Sequence, residues 1–266
     1  MDKRYLGALT LSPLIIVLFL GGIYLKILIM ALSIVGLYEF YSVVKKKGIN
    51  PISIIAYILC VTYYIFLFMG KIDFGSIFLI IIFAIFIMLS IPVVNVKYNF
   101  IDIAITILGY IYIPIFFSFI VLVYDKNFGS YLVWLIFISA WLCDTTAYYI
   151  GRYFGKNKLC PKVSPKKTVE GAIGGLIGSA IGCGVYGFIL SFIGISIPIF
   201  NFILIGLFCG VFCQLGDLVA SSIKRYVDVK DYGNLIPGHG GILDRFDSIL
   251  FASLVVYYYI TFIMGM

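Results

Sequence analysis

The chain has 266 residues, of which 63% are hydrophobic and only 12% charged, with a mean hydropathy of +1.14; a water-soluble domain carries about 25% charged residues. An ordinary soluble globule is therefore excluded, and 24 Phe with 21 Tyr argue against disorder. What remains is an all-α, polytopic integral membrane protein. At about 20 apolar residues per spanning helix, little chain is left for soluble parts, so any chemistry occurs at or inside the bilayer.

Apolar runs lie at about 6–20, 22–43, 52–69, 74–95, 101–123, 131–151, 171–194, 198–222 and 246–265, which predicts nine transmembrane helices. Lys3 and Arg4 precede the first run as in a signal peptide, but no small-x-small cleavage site follows and Gly21-Gly22 leads straight into the next run, so it reads as a span. With the N-terminus in the cytoplasm and the C-terminus outside, 16 of the 19 Lys and Arg residues fall on the inner side, leaving Lys26, Lys71 and Lys126 outside; positive residues set orientation in this way. Residues 1–125 then form an N-terminal region of five spans. Residues 126–266 form a C-terminal catalytic region with two long cytoplasmic loops, 152–170 and 223–245.

Both loops combine basic residues with Gly, Pro, Ser or Thr, the material of a phosphate-binding surface. Charge alone fits positive-inside anchoring equally well. The six cysteines, Cys60, Cys143, Cys160, Cys183, Cys209 and Cys213, form no CxxC pair and mostly sit in apolar runs, as structural thiols do. A single histidine, His239, rules out a His-rich zinc site. The Lys45 to Lys47 run reads as snorkelling to the inner interface. Gly171, Gly175, Gly178 and Gly182, with Gly174 offset, form a small-residue ridge suited to close helix packing in lipid.

Asp2, Asp73, Asp102 and Asp125 sit at helix ends or in loops. Asp144 and Asp217 lie instead inside predicted spans, in WLCDTTAYYIGR and VFCQLGDLVASSIKR, where an unpaired charge near the centre costs about 2.5 to 3.5 kcal/mol. Helical spacing puts Asp217, Ser221, Lys224 and Arg225 on one face, and Asp144, Tyr148 and Arg152 on another. Asp244 and Asp247, in GGILDRFDS, stand at i and i+3 near a helix start, where the dipole favours them. Ion pairing, for example of Asp144 with Arg152, is the competing structural explanation. Carboxylates without a His cluster suit Mg²⁺, which is held by one or two carboxylates plus substrate phosphates. Metal, basic residues and Gly-rich loops together are what phosphoryl or nucleotidyl transfer requires.

The run SSIKRYVDVKDYGNLIPGHGGILDRFD, from Ser221 to Asp247, resembles the signature of the phosphatidate cytidylyltransferases, also called CDP-diacylglycerol synthases. The matching positions are Ser221, Lys224-Arg225, Lys230-Asp231, Gly233, Pro237, His239-Gly240-Gly241, Asp244-Arg245 and Asp247. DTTAYYIGRYFGKNK (Asp144 to Lys158) and SPKKTVEGAIGG (Ser164 to Gly175) look like two further blocks of that family, so the resemblance covers roughly the C-terminal half. It implies an enzyme that joins phosphatidate to the CMP moiety of CTP, releasing pyrophosphate and giving CDP-diacylglycerol for phospholipid synthesis.

The resemblance also implies roles. Asp217, Asp244, Lys224 and Asp144 are the catalytic residues, and Asp217, Asp244 and Asp247 hold Mg²⁺ and a possible second cation. Ser164, Lys166, Lys167, Thr168, Ser221, Arg225, Lys230, His239, Gly240, Gly241 and Arg245 bind substrate, with Thr168 and Glu170 equally suited to cap the following helix. The implied partners are CTP, phosphatidate, membrane lipids and a second copy of the chain in a homodimer, with no nucleic acid. The expected location is a bacterial inner membrane, with the active site facing the cytoplasm. A CTP-dependent lipid-alcohol kinase of the dolichol or phytol type is the nearest rival, but is not expected to show the full Ser221 to Asp247 run. An ion-coupled transporter is the rival from another class; it needs neither the HGG loop nor the lysine cluster, and the absence of an internal repeat gives it no support.

Overall fold

The computed structural model describes residues 15–70, 74–236, 238 and 240–266. Eight of the nine predicted runs fold as helices close to their expected limits: α1 (Gly22–Val44), α2 (Ser53–Phe68), α3 (Phe74–Val94), α4 (Phe100–Tyr110) continuing into α5 (Phe116–Tyr124), α7 (Trp134–Phe154) after the short α6 (Gly129–Leu132), α8 (Val169–Phe192), α9 (Ile199–Tyr226) and α10 (Leu243–Tyr258). Most of the 6–20 run lies outside the described residues. Among the described residues, six helices are long and apolar enough to cross a membrane: Gly22–Lys47, Phe100–Tyr124, Gly129–Phe154, Val169–Phe192, Ile199–Tyr226 and Leu243–Ile263. In lipid a helix satisfies its own backbone, which is why apolar runs of this length adopt one.

The chain packs as two compact units interleaved in sequence. The first comprises Met1–Ser118 with Val227–Asp244, the second Phe119–Tyr226 with Arg245–Met266.

In the first unit, buried tyrosines tie α1, α2 and the α4 segment together. Tyr64 Oη is 2.7 Å from Ser33 Oγ and donates to Pro114 O at 3.0 Å, and Tyr41 Oη donates to Thr106 O at 2.8 Å. Pro114 lies in a π-helical stretch, Ile111–Ile115, between α4 and α5; with no N–H to give, it interrupts the ladder there. Asp102 is buried rather than idle. It forms a capping box with Asn99 at the start of α4 and accepts the Asn50 N–H at 2.6 Å. The Lys45–Lys47 run is a 3₁₀ turn closed by Gly48 at φ 79°, and Lys47 Nζ pairs with Asp228 Oδ2 at 2.7 Å.

In the second unit, the predicted glycine ridge packs α8 on α7. A Cβ at Gly171 would lie 2.7 Å from Ala147 O and one at Gly175 3.1 Å from Cys143 O, while Gly174, Gly178 and Gly182 abut Ile150, Thr146 and Leu142. The ridge has a partner on α9, where Gly206 faces Ser179 O at 2.5 Å from its would-be Cβ and accepts the Ser179 hydroxyl at 2.7 Å. Between α7 and α8 the predicted loop contains a hairpin, β1 (Lys158–Cys160) antiparallel to β2 (Ser164–Thr168), pairing Lys158 with Thr168 and Cys160 with Ser164 across a bulge.

Candidate active site

The second unit holds a cavity of about 500 Å³ walled by α7 (Asp144, Ala147, Tyr148, Gly151, Arg152), the hairpin (Leu159, Lys166, Lys167, Thr168), the start of α8 (Gly171, Ala172) and α9 (Gln214, Asp217). Each wall has a local cause. Thr168 Oγ1 accepts the Gly171 N–H at 3.2 Å and so caps α8. Glu170 accepts the Lys156 and Asn157 N–H groups at 3.0 and 3.2 Å, clamping the hairpin's base. Together they turn β2 so that consecutive lysines reach the cavity.

Lys167 Nζ lies 2.6 Å from Asp217 Oδ2, and Ser221 Oγ donates to Asp217 Oδ1 at 3.2 Å. Asp144 is within electrostatic reach of Asp217, Lys167 and Arg245. Asp247, on α10, is likewise in reach of Asp217, Asp144 and Lys224. Gly216 brings α9 and α10 together at this level, since a Cβ there would lie 2.5 Å from Asp247 O. Arg225, at the end of α9, donates from Nε to Val163 O at 3.4 Å, meeting the hairpin's turn. Arg152 donates to Tyr148 Oη at 3.0 Å.

The second unit thus gathers Asp144, Asp217, Asp247, Lys166, Lys167, Thr168, Ser221, Lys224, Arg225 and Arg245 from four segments far apart in sequence. Ser164 opens β2, opposite Cys160. Sequence reasoning missed Gln214, which donates to Ala172 O and Gly210 O at 3.0 Å each; its signal was a polar residue one turn before Asp217.

The remaining site residues belong to the first unit, in the loop Val227–Asp244. Lys230 is exposed there, and His239 and Pro237 lie outside the described residues. Asp244 Oδ2 accepts the Tyr232 and Gly241 N–H groups at 2.7 and 3.0 Å, and Ile236 N–H donates to Gly240 O at 2.9 Å. Gly240, at φ +85°, needs glycine for this turn. A second residue missed by the sequence reading, the acidic Glu39, accepts the Ile242 and Leu243 N–H groups at 2.9 Å each; its signal was a carboxylate inside an apolar run.

The donor set beside the cavity, carboxylate and hydroxyl oxygens with ammonium groups, fits a hard cation bound together with phosphate oxygens. Among the described residues, no three His, Cys, Asp or Glu side chains converge into a cage for a metal.

Fold and site together define an integral membrane protein whose helices enclose a cavity lined by acidic and basic side chains. Residues 2–263 match the cytidylyltransferase family, and the chain belongs to that family. Over 268 residues, 97% of this chain and 97% of the relative, it is 35% identical to the phosphatidate cytidylyltransferase of Bacillus subtilis. It is 36% identical over 167 residues, 62% of each chain, to the phosphatidate cytidylyltransferase of Staphylococcus saprophyticus, and 34% identical over 170 residues to that of Staphylococcus aureus.

Proposed function

We infer that the chain condenses CTP with phosphatidate to give CDP-diacylglycerol and pyrophosphate. One observation carries the reading: a cavity lined by Asp144, Lys166, Lys167 and Asp217, in a chain that matches a phosphatidate cytidylyltransferase along 97% of its length. A phosphatidate phosphate oxygen attacks the α-phosphorus of CTP. The new P–O bond forms as the bond to the β-phosphate oxygen breaks, and pyrophosphate leaves with that electron pair. Phosphatidate is already anionic near neutral pH, so no strong general base is needed.

The chain's own groups position and neutralise. Lys166 and Lys167 approach the phosphates from the hairpin, and Lys224, Arg225 and Arg245 add positive charge from α9 and α10. Of the three carboxylates expected to hold Mg²⁺, we keep Asp217 and Asp247, with Asp144 orienting substrate beside them; Asp244 is reassigned to the loop, because its Oδ2 already accepts the Tyr232 and Gly241 N–H groups. When bound, Mg²⁺ supplies charge neutralisation at the triphosphate oxygens. In the first unit, the loop with Lys230, Gly240 and Gly241 is assigned to phosphate contact, and Asp244 fixes its shape.

We further propose nine spans, N-terminus in and C-terminus out, in a bacterial inner membrane, with the site facing the cytoplasm in a homodimer. Two contacts fit the grouping of loops into sides, in either orientation, because each joins residues expected on the same side. Lys47 meets Asp228 at 2.7 Å, and Lys126 Nζ donates to Met266 O at 2.8 Å. Purified protein given labelled CTP, phosphatidate and Mg²⁺ tests the activity; if neither pyrophosphate nor a CDP-lipid forms, the reading fails. Replacing Asp217 or Asp247 by Ala abolishes turnover if the cation assignment holds, with protein still in the membrane.

A further inference from the structure

Glu39 stands in the apolar run of α1, 3% exposed, yet its carboxylate serves a segment 203 residues further along the chain. Oε1 accepts the Ile242 N–H and Oε2 the Leu243 N–H, each at 2.9 Å. These donors lie at the start of α10, where the first N–H groups have no intrahelical partner and the dipole favours an anion.

The same carboxylate sets which side chains fit around it. A Cβ at Gly241 would lie 2.5 Å from both Glu39 oxygens, and one at Gly233 2.7 Å from Oε1. Neither glycine has a positive φ, so the backbone at both positions is open to an L side chain. Gly240 differs: its φ of +85° demands glycine by conformation. Two glycines of the Ser221 to Asp247 run are therefore explained by one buried acid outside it. Asp244 closes the loop from its other end through the Tyr232 and Gly241 N–H groups, so Gly241 is gripped between two carboxylates.

We propose that Glu39 is the positioning residue of the backbone from Gly240 to Leu243 at the start of α10, and that Gly233 and Gly241 are glycines because its carboxylate occupies the space a side chain would take. This gives Gly241 a second reason to be glycine besides the approach of a ligand, since a side chain there would displace Glu39. The expected effect on turnover rests on the cytidylyl-transfer reading; the packing does not.

The test uses the full-length purified protein with E39Q, E39D, E39A, G241A and the double variant E39A/G241A. Thermal midpoints are measured without substrate, and kcat and KM for CTP by pyrophosphate release, corrected for folded fraction. E39Q keeps one acceptor oxygen and turns an N–H₂ toward the other donor. Its kcat/KM falls about tenfold to hundredfold, the scale of one hydrogen bond to a charged group. E39D, which keeps both oxygens and the charge, recovers more than E39A. G241A is costly alone and much less so on the E39A background, in both midpoint and kcat/KM.

Wild-type kinetics in folded E39Q overturn the positioning role, and equal cost of G241A with and without Glu39 overturns the explanation of the glycine. A wild-type protein that makes no CDP-lipid overturns the activity instead, while the E39A/G241A coupling in midpoint still decides the packing.

Discussion

Lys167 and Asp217 form an ion pair at 2.6 Å between Nζ and Oδ2, one residue coming from a hairpin outside the spans and the other from within a spanning helix. Both side chains face the cavity. The pair also sets a lysine on the wall of the cavity, where a phosphate would compete for it. With side chains 25% and 30% exposed, the pair is partly solvated and contributes on the order of 1 kcal/mol or less to stability. Lys167→Ala should therefore leave the thermal midpoint nearly unchanged while kcat/KM falls on the order of a hundredfold, the scale of losing one preorganised charge contact. Lys167→Arg should recover part of it. Pyrophosphate release measures both, and near-normal turnover in Lys167→Ala would remove the lysine from the site.

Gly216 is a point at which α9 and α10 touch. In Gly216→Ala the new methyl would lie 2.5 Å from Asp247 O and 2.8 Å from the Phe251 ring, so the helices must part. Overpacking of this kind costs about 1 to 3 kcal/mol, and here it also separates Asp217 from Asp247. A lowered midpoint together with a raised Mg²⁺ requirement is the expected pair of results. A lowered midpoint with an unchanged Mg²⁺ dependence would argue that these two aspartates do not share a cation.

The parts of this protein that were legible in its sequence are those written locally. Apolar runs marked the helices because lipid leaves the backbone no other partner, and Asp144 and Asp217 stood out because each breaks such a run. Gly171 to Gly182 announced a packing face by spacing alone. What was not legible depends on distant partners. Glu39 broke its run just as Asp144 did, but the two N–H groups that explain it lie 203 residues away. Asp102 looked like a helix-end residue, and its burial follows from Asn50 folding back onto it. The hairpin was hidden for a different reason: SPKKT has Pro and Lys, poor strand formers, and the capping by Thr168 and Glu170 holds it in place.

Thr168 couples that hairpin to α8. Thr168→Val keeps the shape and removes the oxygen that accepts the Gly171 N–H, so it should cost about 1 kcal/mol, as for other lost N-caps. Thr168→Ser should be close to neutral. Because Lys166 and Lys167 precede the cap directly, Thr168→Val should also raise KM for CTP more than it lowers kcat. A change confined to the midpoint would limit Thr168 to a structural role.

Cys160 offers a direct reading of topology without any engineered cysteine. Of the six thiols it alone is not buried, the other five being closed in among helices. It lies in β1, within the segment assigned to the cytoplasm, whereas Lys126 and the C-terminus are assigned to the opposite side. A membrane-impermeant maleimide should therefore label the protein in inverted vesicles and spare it in right-side-out vesicles, with Cys160→Ser abolishing the signal in the inverted ones. The hairpin carries Lys166 and Lys167, so the same labelling shows from which side CTP reaches them. Labelling from the outer face alone would reverse the orientation of every span and leave the cavity without access to a cytoplasmic nucleotide.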